Sequence, residues 1–232
     1  MPPNRVILVT GASRGIGAEV ARRLASPDTH VIVSYREKSK RADAVADAIR
    51  AAGGHASTFA ADISDEAASA AMIDSIAARH GRLDALILNA SGGLDLGADP
   101  SHAMRVNHDA QRRLALLSMP LMPVGGRVVF VTSHQAHFFP HKAVPKGYSV
   151  VAASKRAGET ALYAMRSDFD HAGIHLTVAS GDMIDGAIIV DHLRRTDMPA
   201  VHGFATAIVN AATTAASSSI VYVGGSDYLM TA

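Results

Sequence analysis

Short apolar runs alternate along the chain with longer stretches in which apolar residues recur every three or four positions. Val6–Val9 opens the series, and in Gly15–Ser26 the residues Ile16, Val20 and Leu24 fall on one helical face. His30–Ser34 is a second apolar run, and Val45, Ile49 and Ala52 mark a helix that stops before Gly53-Gly54. His55–Ala60 leads into a helix predicted over Ser64–His80, with Met72, Ile73 and Ile76 on a shared stripe and Gly81 as its stop signal. Ala85–Leu88, Arg127–Val131, Ile174–Val178 and Ile220–Val223 complete the predicted strands. Further helices are predicted near Ser101–Met119, over Ser149–His171, and in pieces through Ala187–Ala212.

The runs are apolar throughout rather than alternating, which fits strands covered on both faces. Strand and helix in turn, at this spacing, predict an α/β fold: a single doubly wound domain over residues 1–232 with a parallel sheet of about seven strands. The least regular stretches are Ser91–Pro100, His134–Gly147 and Gly181–His202. All three follow predicted strand ends, where open parallel sheets place their ligands.

Composition narrows the function classes. With 48% hydrophobic and 19% charged residues, the chain is neither disordered nor collagen-like. A formal charge of +1, no Trp and 5% aromatics give no footprint for nucleic acid. The absence of cysteine removes disulfides, thiolate metal sites and a cysteine nucleophile, and no metal is expected. Val6–Val9 is too short for a signal-peptide core, and nowhere do 18 apolar residues run together. A cytoplasmic protein with no membrane partner is the expectation. Twelve histidines are the one excess.

The most informative segment is Thr10-Gly11-Ala12-Ser13-Arg14-Gly15-Ile16-Gly17, between the first strand and the first helix. Glycines there permit a tight turn and let backbone N–H groups approach a pyrophosphate at a helix N-terminus. Other motifs follow in order: Asp62-Ile63 after the third strand, Asn89-Ala90-Ser91-Gly92 after the fourth, then Asn107, Ser133, Ser154-Lys155 and Val223-Gly224-Gly225. The ordered set resembles the short-chain dehydrogenase/reductase family, built on a Rossmann-type fold. The resemblance implies a nicotinamide cofactor with its pyrophosphate over Gly11, Ser13, Arg14, Gly15, Ile16 and Gly17. It places Asp62 and Ile63 at the adenine, Asn89 and Ala90 under the adenosine ribose, Lys155 at the nicotinamide ribose, and Gly181 and Met183 beside the nicotinamide.

An acidic residue at the end of the second strand would accept the ribose 2′-OH of NAD. Ser34-Tyr35-Arg36 stands there instead, with Arg14 in the glycine turn. Two guanidinium groups suit a 2′-phosphate, so NADP(H) is the expected cofactor.

For carbonyl chemistry the resemblance assigns polarisation to Ser133, proton donation to a tyrosine four residues before Lys155, and a water-mediated relay to Asn107. The position four before Lys155 is Val151; Tyr148 precedes the lysine by seven. On a helix, spacings of four and seven return to nearly the same face, offset by about +40° and −20°, but about 6 Å and 10 Å along the axis. Three readings follow. Tyr148 is a displaced acid delivered by a lengthened Ser133–Tyr148 segment; or His134, His137 or His141 supplies the proton; or proton donation is lost and the chain binds NADP(H) for another purpose.

The family usually shows Pro-Gly and a nearby Thr after the sixth strand; Ser180-Gly181-Asp182-Met183-Ile184-Asp185 has neither the Pro nor that Thr. The Asn89–Asn107 stretch is shorter than usual, trimming one wall of the substrate entrance. Met183, Ile184, Ile188, Ile189 and Leu193 form an apolar lid or ordinary helix core. The resemblance implies a small carbonyl or alcohol substrate, of ketone or 3-oxoacyl thioester type. It also implies a homodimer or homotetramer through the helices of Asn107 and Lys155 and the Val221–Ala232 tail, with Tyr222, Tyr228, Leu229 and Met230. The alternative, motivated by Val151 and Asp185, is a non-catalytic NADP(H)-binding or interaction protein.

Overall fold

The computed structural model describes residues 3–92, 99–182, 199–214, 218–225 and 229. Seven strands run in chain order: β1 (Arg5–Val9), β2 (Thr29–Tyr35), β3 (His55–Ala60), β4 (Ala85–Leu88), β5 (Arg127–Ser133), β6 (His175–Gly181) and β7 (Ile220–Val223). They pair in parallel in the order β3-β2-β1-β4-β5-β6-β7. The chain builds one half outward from β1, returns, and builds the other half from β4. This reversal between β1 and β4 opens a crevice at the C-terminal strand ends, the usual ligand position in such sheets.

Period-two alternation assigns the strand side chains to two cores. Ile7, Val9, Val31 and Val33 pack under α1 (Gly15–Arg23), α2 (Ser39–Ala51) and α9 (Pro199–Thr213), against Val20, Val45, Ile49 and Ile208. Val6, Leu8, Leu86, Leu88, Val128 and Phe130 pack on the other face. Their partners there lie on α3 (Glu66–His80), α5 (Ala110–Ser118), α7 (Ser149–Ala164) and α8 (Arg166–Ala172), with Met72, Leu114, Leu162 and Phe169 filling the layer. The doubly wound α/β fold expected from the pattern is therefore present. Among the described residues there are also two short α-helices, α4 (Pro100–Met104) and α6 (His134–His137).

Several boundaries differ from the periodicity. The segment predicted as one helix from 149 to 171 breaks at Met165, where φ −88° and ψ 5° interrupt the helix between α7 and α8. Leu162, Met165 and Phe169 nonetheless share one buried stripe, which is why the pattern reads as continuous. The predicted helix near 101–119 contains a π turn over Arg105–Asp109, one wide turn that a period of 3.6 does not reveal. β5 and β6 run on to Ser133 and Gly181, which pair with each other. Their polar ends face the crevice, so the apolar pattern stops short of them. Helix α3 starts at Glu66 rather than Ser64, because the Asp65 carboxylate accepts from the Ala68 N–H and caps it. Its end at Gly81, in the left-handed region at φ 66°, is where the sequence placed it.

At the opposite edge of the sheet, the His30 and His80 rings lie 4.4 Å apart, and His55 pairs with His30 across β2 and β3. Burial, aided by His80, His55 and Arg50, pushes His30 down to about 4. The unfolded chain, with an ordinary histidine value near 6.5, then binds more protons between pH 6.5 and 4, so stability drops as pH falls through that window. Half-exposure of the ring screens the effect. Thermal melts of His30→Asn should lose less on going from pH 7 to 4.5 than wild type, by on the order of 3 °C; identical losses would remove His30 as the cause.

Candidate active site

At the end of β1 the chain turns through Gly11 and Gly15, whose φ angles of +64° and +57° are disfavoured for other residues. A Cβ on Gly17 would sit 2.8 Å from the Gly11 carbonyl oxygen and 3.1 Å from the Ala12 Cα, so the first turn of α1 closes on the loop only with glycine there. The α1 N-terminus has no side-chain cap and no acid in its first turn. Its first N–H groups and the positive end of the helix dipole therefore suit an anion. Arg14 is exposed at the N-cap. Ser13 and Ile16 are partly buried, Ile16 against the core under α1.

The neighbouring strand end is tied to this turn. The Thr10 hydroxyl donates to the Ile87 carbonyl at 3.2 Å and accepts from the Asn89 and Ala90 N–H groups, each at 3.0 Å. The Asn89 amide donates to the carbonyls of Thr10 at 2.9 Å and Gly11 at 3.3 Å. Thr10 is fully buried, and each such bond contributes about 1 kcal/mol. One threonine thus locks β1 to β4 at the mouth of the crevice. Thr10 opens the glycine motif, but the sequence assigned it no role of its own.

Beyond β2 the Arg36 guanidinium is exposed and pairs with Glu37 at 2.9 Å. Asp62 accepts from the Ser64 N–H at 2.9 Å and hydroxyl at 2.7 Å. Burial pushes its carboxyl up, but the Ser64 bonds and the Arg36 charge outweigh that and hold it below the ordinary value. Asp62 and Arg36 therefore face one region at the outer end of the crevice. Ile63 instead turns its side chain into the core.

Ser133 ends β5 and caps α6, accepting from the Ala136 N–H at 3.3 Å. Its Oγ lies 3.0 Å from the Tyr148 Oη. Tyr148 is the residue just before α7, after the turn at Gly147, and its ring packs with Ala136, Val151 and Ala152. Val151, where a tyrosine four before Lys155 would stand, is part of that packing and almost fully buried. Burial raises the Tyr148 phenol above its usual value, and the bond to Ser133 partly offsets this. Burial also lowers Lys155, on the same helix, to about 8.

Asn107 lies in the π turn, almost fully buried. Its side-chain amide donates to the Gly92 carbonyl and the Ser154 Oγ, both at 2.9 Å, and its Oδ1 accepts from the Gly92 N–H at 3.1 Å. Its carbonyl oxygen comes so close to Gly158 of α7 that a side chain there would collide with it. Gly181 ends β6 against the Phe204 ring. Met183, Ile184, Asp185, Ile188, Ile189 and Leu193 lie outside the described residues, as do Tyr228 and Met230.

The sequence profile described as short chain dehydrogenase matches residues 5–196. The chain belongs to the short-chain dehydrogenase/reductase family. A 1-cyclohexenylcarbonyl-CoA reductase from Streptomyces collinus is 30% identical over 86% of this chain and 71% of its own. A probable tetrahydroxynaphthalene reductase from Zymoseptoria tritici is 33% identical over 71% of this chain, a match that spans 62% of that reductase. A crystal structure of a metagenomic short-chain oxidoreductase in complex with NADP superposes with a TM-score of 0.76 at 27% identity, covering 96% of this chain and 97% of that one.

In this chain two of the three loop histidines, His134 and His137, engage partners of their own. His134 is fully buried, with Nδ1 2.8 Å from the Ser180 Oγ and Nε2 3.1 Å from the Gly224 carbonyl oxygen. His137 lies between Glu159 and Tyr222, and His141 is exposed. The buried Glu159 was not singled out by the sequence, although its place four residues after Lys155 puts it on nearly the same helix face. No helix among the described residues is long and apolar enough to cross a membrane.

Proposed function

We propose that this chain binds NADP(H) and reduces a carbonyl to an alcohol, or runs the reverse reaction, with Tyr148 as the proton donor. The observation that carries the reading is the 3.0 Å approach of the Tyr148 and Ser133 hydroxyls despite the seven-residue spacing to Lys155. The uncapped α1 N-terminus and the glycine turn fit the pyrophosphate, and Arg14 and Arg36 fit a 2′-phosphate. When bound, the reduced nicotinamide supplies the hydride. The Ser133 hydroxyl polarises the substrate carbonyl, and the Tyr148 phenol, kept neutral by burial, gives its proton to the same oxygen. Lys155, at about 8, is still mostly an ammonium at neutral pH and favours loss of that proton from the phenol.

The named relatives are reductases of a CoA thioester and of tetrahydroxynaphthalene. That supports a substrate of ketone or acyl-thioester type. The partly exposed Leu116 of α5, Val150 of α7 and Tyr222 of β7 support a homodimer or homotetramer through those elements.

NADPH oxidation followed with a panel of ketones and 3-oxoacyl thioesters tests the reading. Turnover with NADPH above that with NADH is expected; NADPH binding without turnover across the panel would instead favour a non-catalytic binding protein. Arg36→Leu should weaken NADPH binding by about 10-fold and leave NADH unchanged, since only the 2′-phosphate loses a charge-assisted partner. Equal effects on both in a fluorescence titration would place Arg36 elsewhere.

A further inference from the structure

A second set of ionisable side chains sits behind the Ser133–Tyr148 pair. Glu159 is fully buried on α7. Both of its carboxylate oxygens lie close to His137 Nδ1, at 2.8 and 3.0 Å, and the Arg156 Nη1 donates to one of them at 2.8 Å. The other ring nitrogen of His137, Nε2, is 2.9 Å from the Tyr222 hydroxyl on the edge strand β7. The Glu159 carboxylate only accepts, so Nδ1 is the nitrogen that donates to it. Phe138 stacks on Tyr222 at 5.9 Å and 13°, and its ring carries the Lys142 ammonium 5.1 Å above it.

All of these contacts except the Arg156–Glu159 pair involve one stretch of chain. Segment 133–148 leaves the sheet at Ser133 and returns at Tyr148, and the two hydroxyls at its ends are the pair on which the chemistry rests. Between them, His134 joins the segment to the ends of β6 and β7, and His137 joins it to α7 and β7. A burial this deep is costly for a carboxylate unless it is paired, and Glu159 is paired by a residue of the segment and by a residue one turn before it on its own helix. The helix that anchors the segment is also the helix that carries Lys155.

We propose that His137, clamped between Glu159 and Tyr222, is a positioning residue that holds segment 133–148 so that the Tyr148 hydroxyl meets Ser133. The clamp does for the displaced tyrosine what a fixed helical spacing to Lys155 would otherwise do. This rests on Tyr148 being the proton donor. The hydrogen bonds of His137 go to Glu159 and Tyr222, so its effect on Ser133 and Tyr148 runs through the backbone between them.

Three variants test this, with wild type and Tyr148→Phe as references. Tyr222→Phe removes one partly exposed hydroxyl and leaves the ring stacking in place; Glu159→Gln keeps an acceptor and loses the charge; His137→Gln keeps one hydrogen-bonding end. Each should lower kcat, by about 3-fold for Tyr222→Phe and about 30-fold for His137→Gln, with NADPH affinity unchanged, as expected for misplaced rather than missing reacting groups. Combined with Tyr148→Phe, none should lower the residual rate further, because the clamp acts only through that hydroxyl. A readout independent of turnover is the tyrosinate absorbance titration of Tyr148, taken as wild type minus Tyr148→Phe. Loss of the clamp should move it to higher pH, since the bond to Ser133 that holds the phenol down is weakened. Full kcat with an unmoved titration in both Tyr222→Phe and Glu159→Gln would overturn the clamp. So would kcat losses that add to that of Tyr148→Phe. Full activity in Tyr148→Phe itself would instead overturn the proton-donor reading, and the absorbance titration would still report whether the clamp sets the Tyr148 environment. If His137→Gln fails to fold, Tyr222→Phe and Glu159→Gln decide.

Discussion

In Tyr148→Phe, carbonyl reduction is expected to fall by about 10³-fold while NADPH affinity stays within a few-fold, the loss typical of a removed general acid. The substitution deletes one oxygen. The ring stays in its packing with Ala136, Val151 and Ala152, so the fold and the glycine turn are untouched. What disappears is the phenol proton and one of the hydrogen bonds of Ser133. Steady-state kcat together with a binding titration of NADPH separates this from a structural failure, in which both would change. Full activity would return attention to His134, His137 and His141. The first two are already occupied by Ser180, Gly224, Glu159 and Tyr222, which makes them poor rivals.

Lys155→Met is expected to lower kcat by about 10²-fold and to raise the melting temperature. Both follow from one cause. Burial pushes the ammonium down to about 8, against 10.5 for the unfolded chain. Between those values the unfolded state binds more protons, so stability rises with pH across about 8 to 10.5 and the charged lysine is a burden at neutral pH. Methionine removes that burden and removes the charge that the proposed mechanism uses to assist Tyr148. The wild-type reductive rate should accordingly decline as pH rises through about 8, and this limb should be missing from Lys155→Met. A variant with the limb intact would mean that another group sets it.

How much of this was legible in the sequence depends on what each residue faces. The parallel strands, their cover on both faces and the glycine turn were legible, because burial on both faces writes continuous apolar strands and the turn demands glycines at set positions; the order of the strands in the sheet was not. The apolar runs alone stop short of the strand ends at Ser133 and Gly181, since residues that line a crevice are polar. The π turn around Asn107 is a change of one residue in a turn and leaves no trace in a periodic pattern. Tyr148 was legible as a candidate from the resemblance, which asks for a tyrosine before Lys155, together with helical geometry. Its meeting with Ser133 was not, because that depends on a loop whose path is set by contacts between residues far apart in the chain. Glu159 was passed over since a single acid on a helix reads as a solvated face; only packing against α6 and β7 reveals it as buried. The histidine excess turned out to be mainly architectural at His134 and His137, which join the loop to the sheet and to α7.

Tyr148 stands outside α7, on its threshold, whereas Lys155 is locked two turns inside it. An acid and a lysine on one rigid helix can change their separation only by whole residues, each with a rotation of about 100°. Here the proposed acid is the residue at which loop and helix meet: its carbonyl accepts from the Ala152 N–H at 2.9 Å, while insertions or deletions between Ser133 and Gly147 change what faces its hydroxyl without disturbing the lysine, the cofactor turn or the cores. The arrangement gives the protein a site whose reach toward its substrate is adjustable through evolution at a place where length changes are cheap.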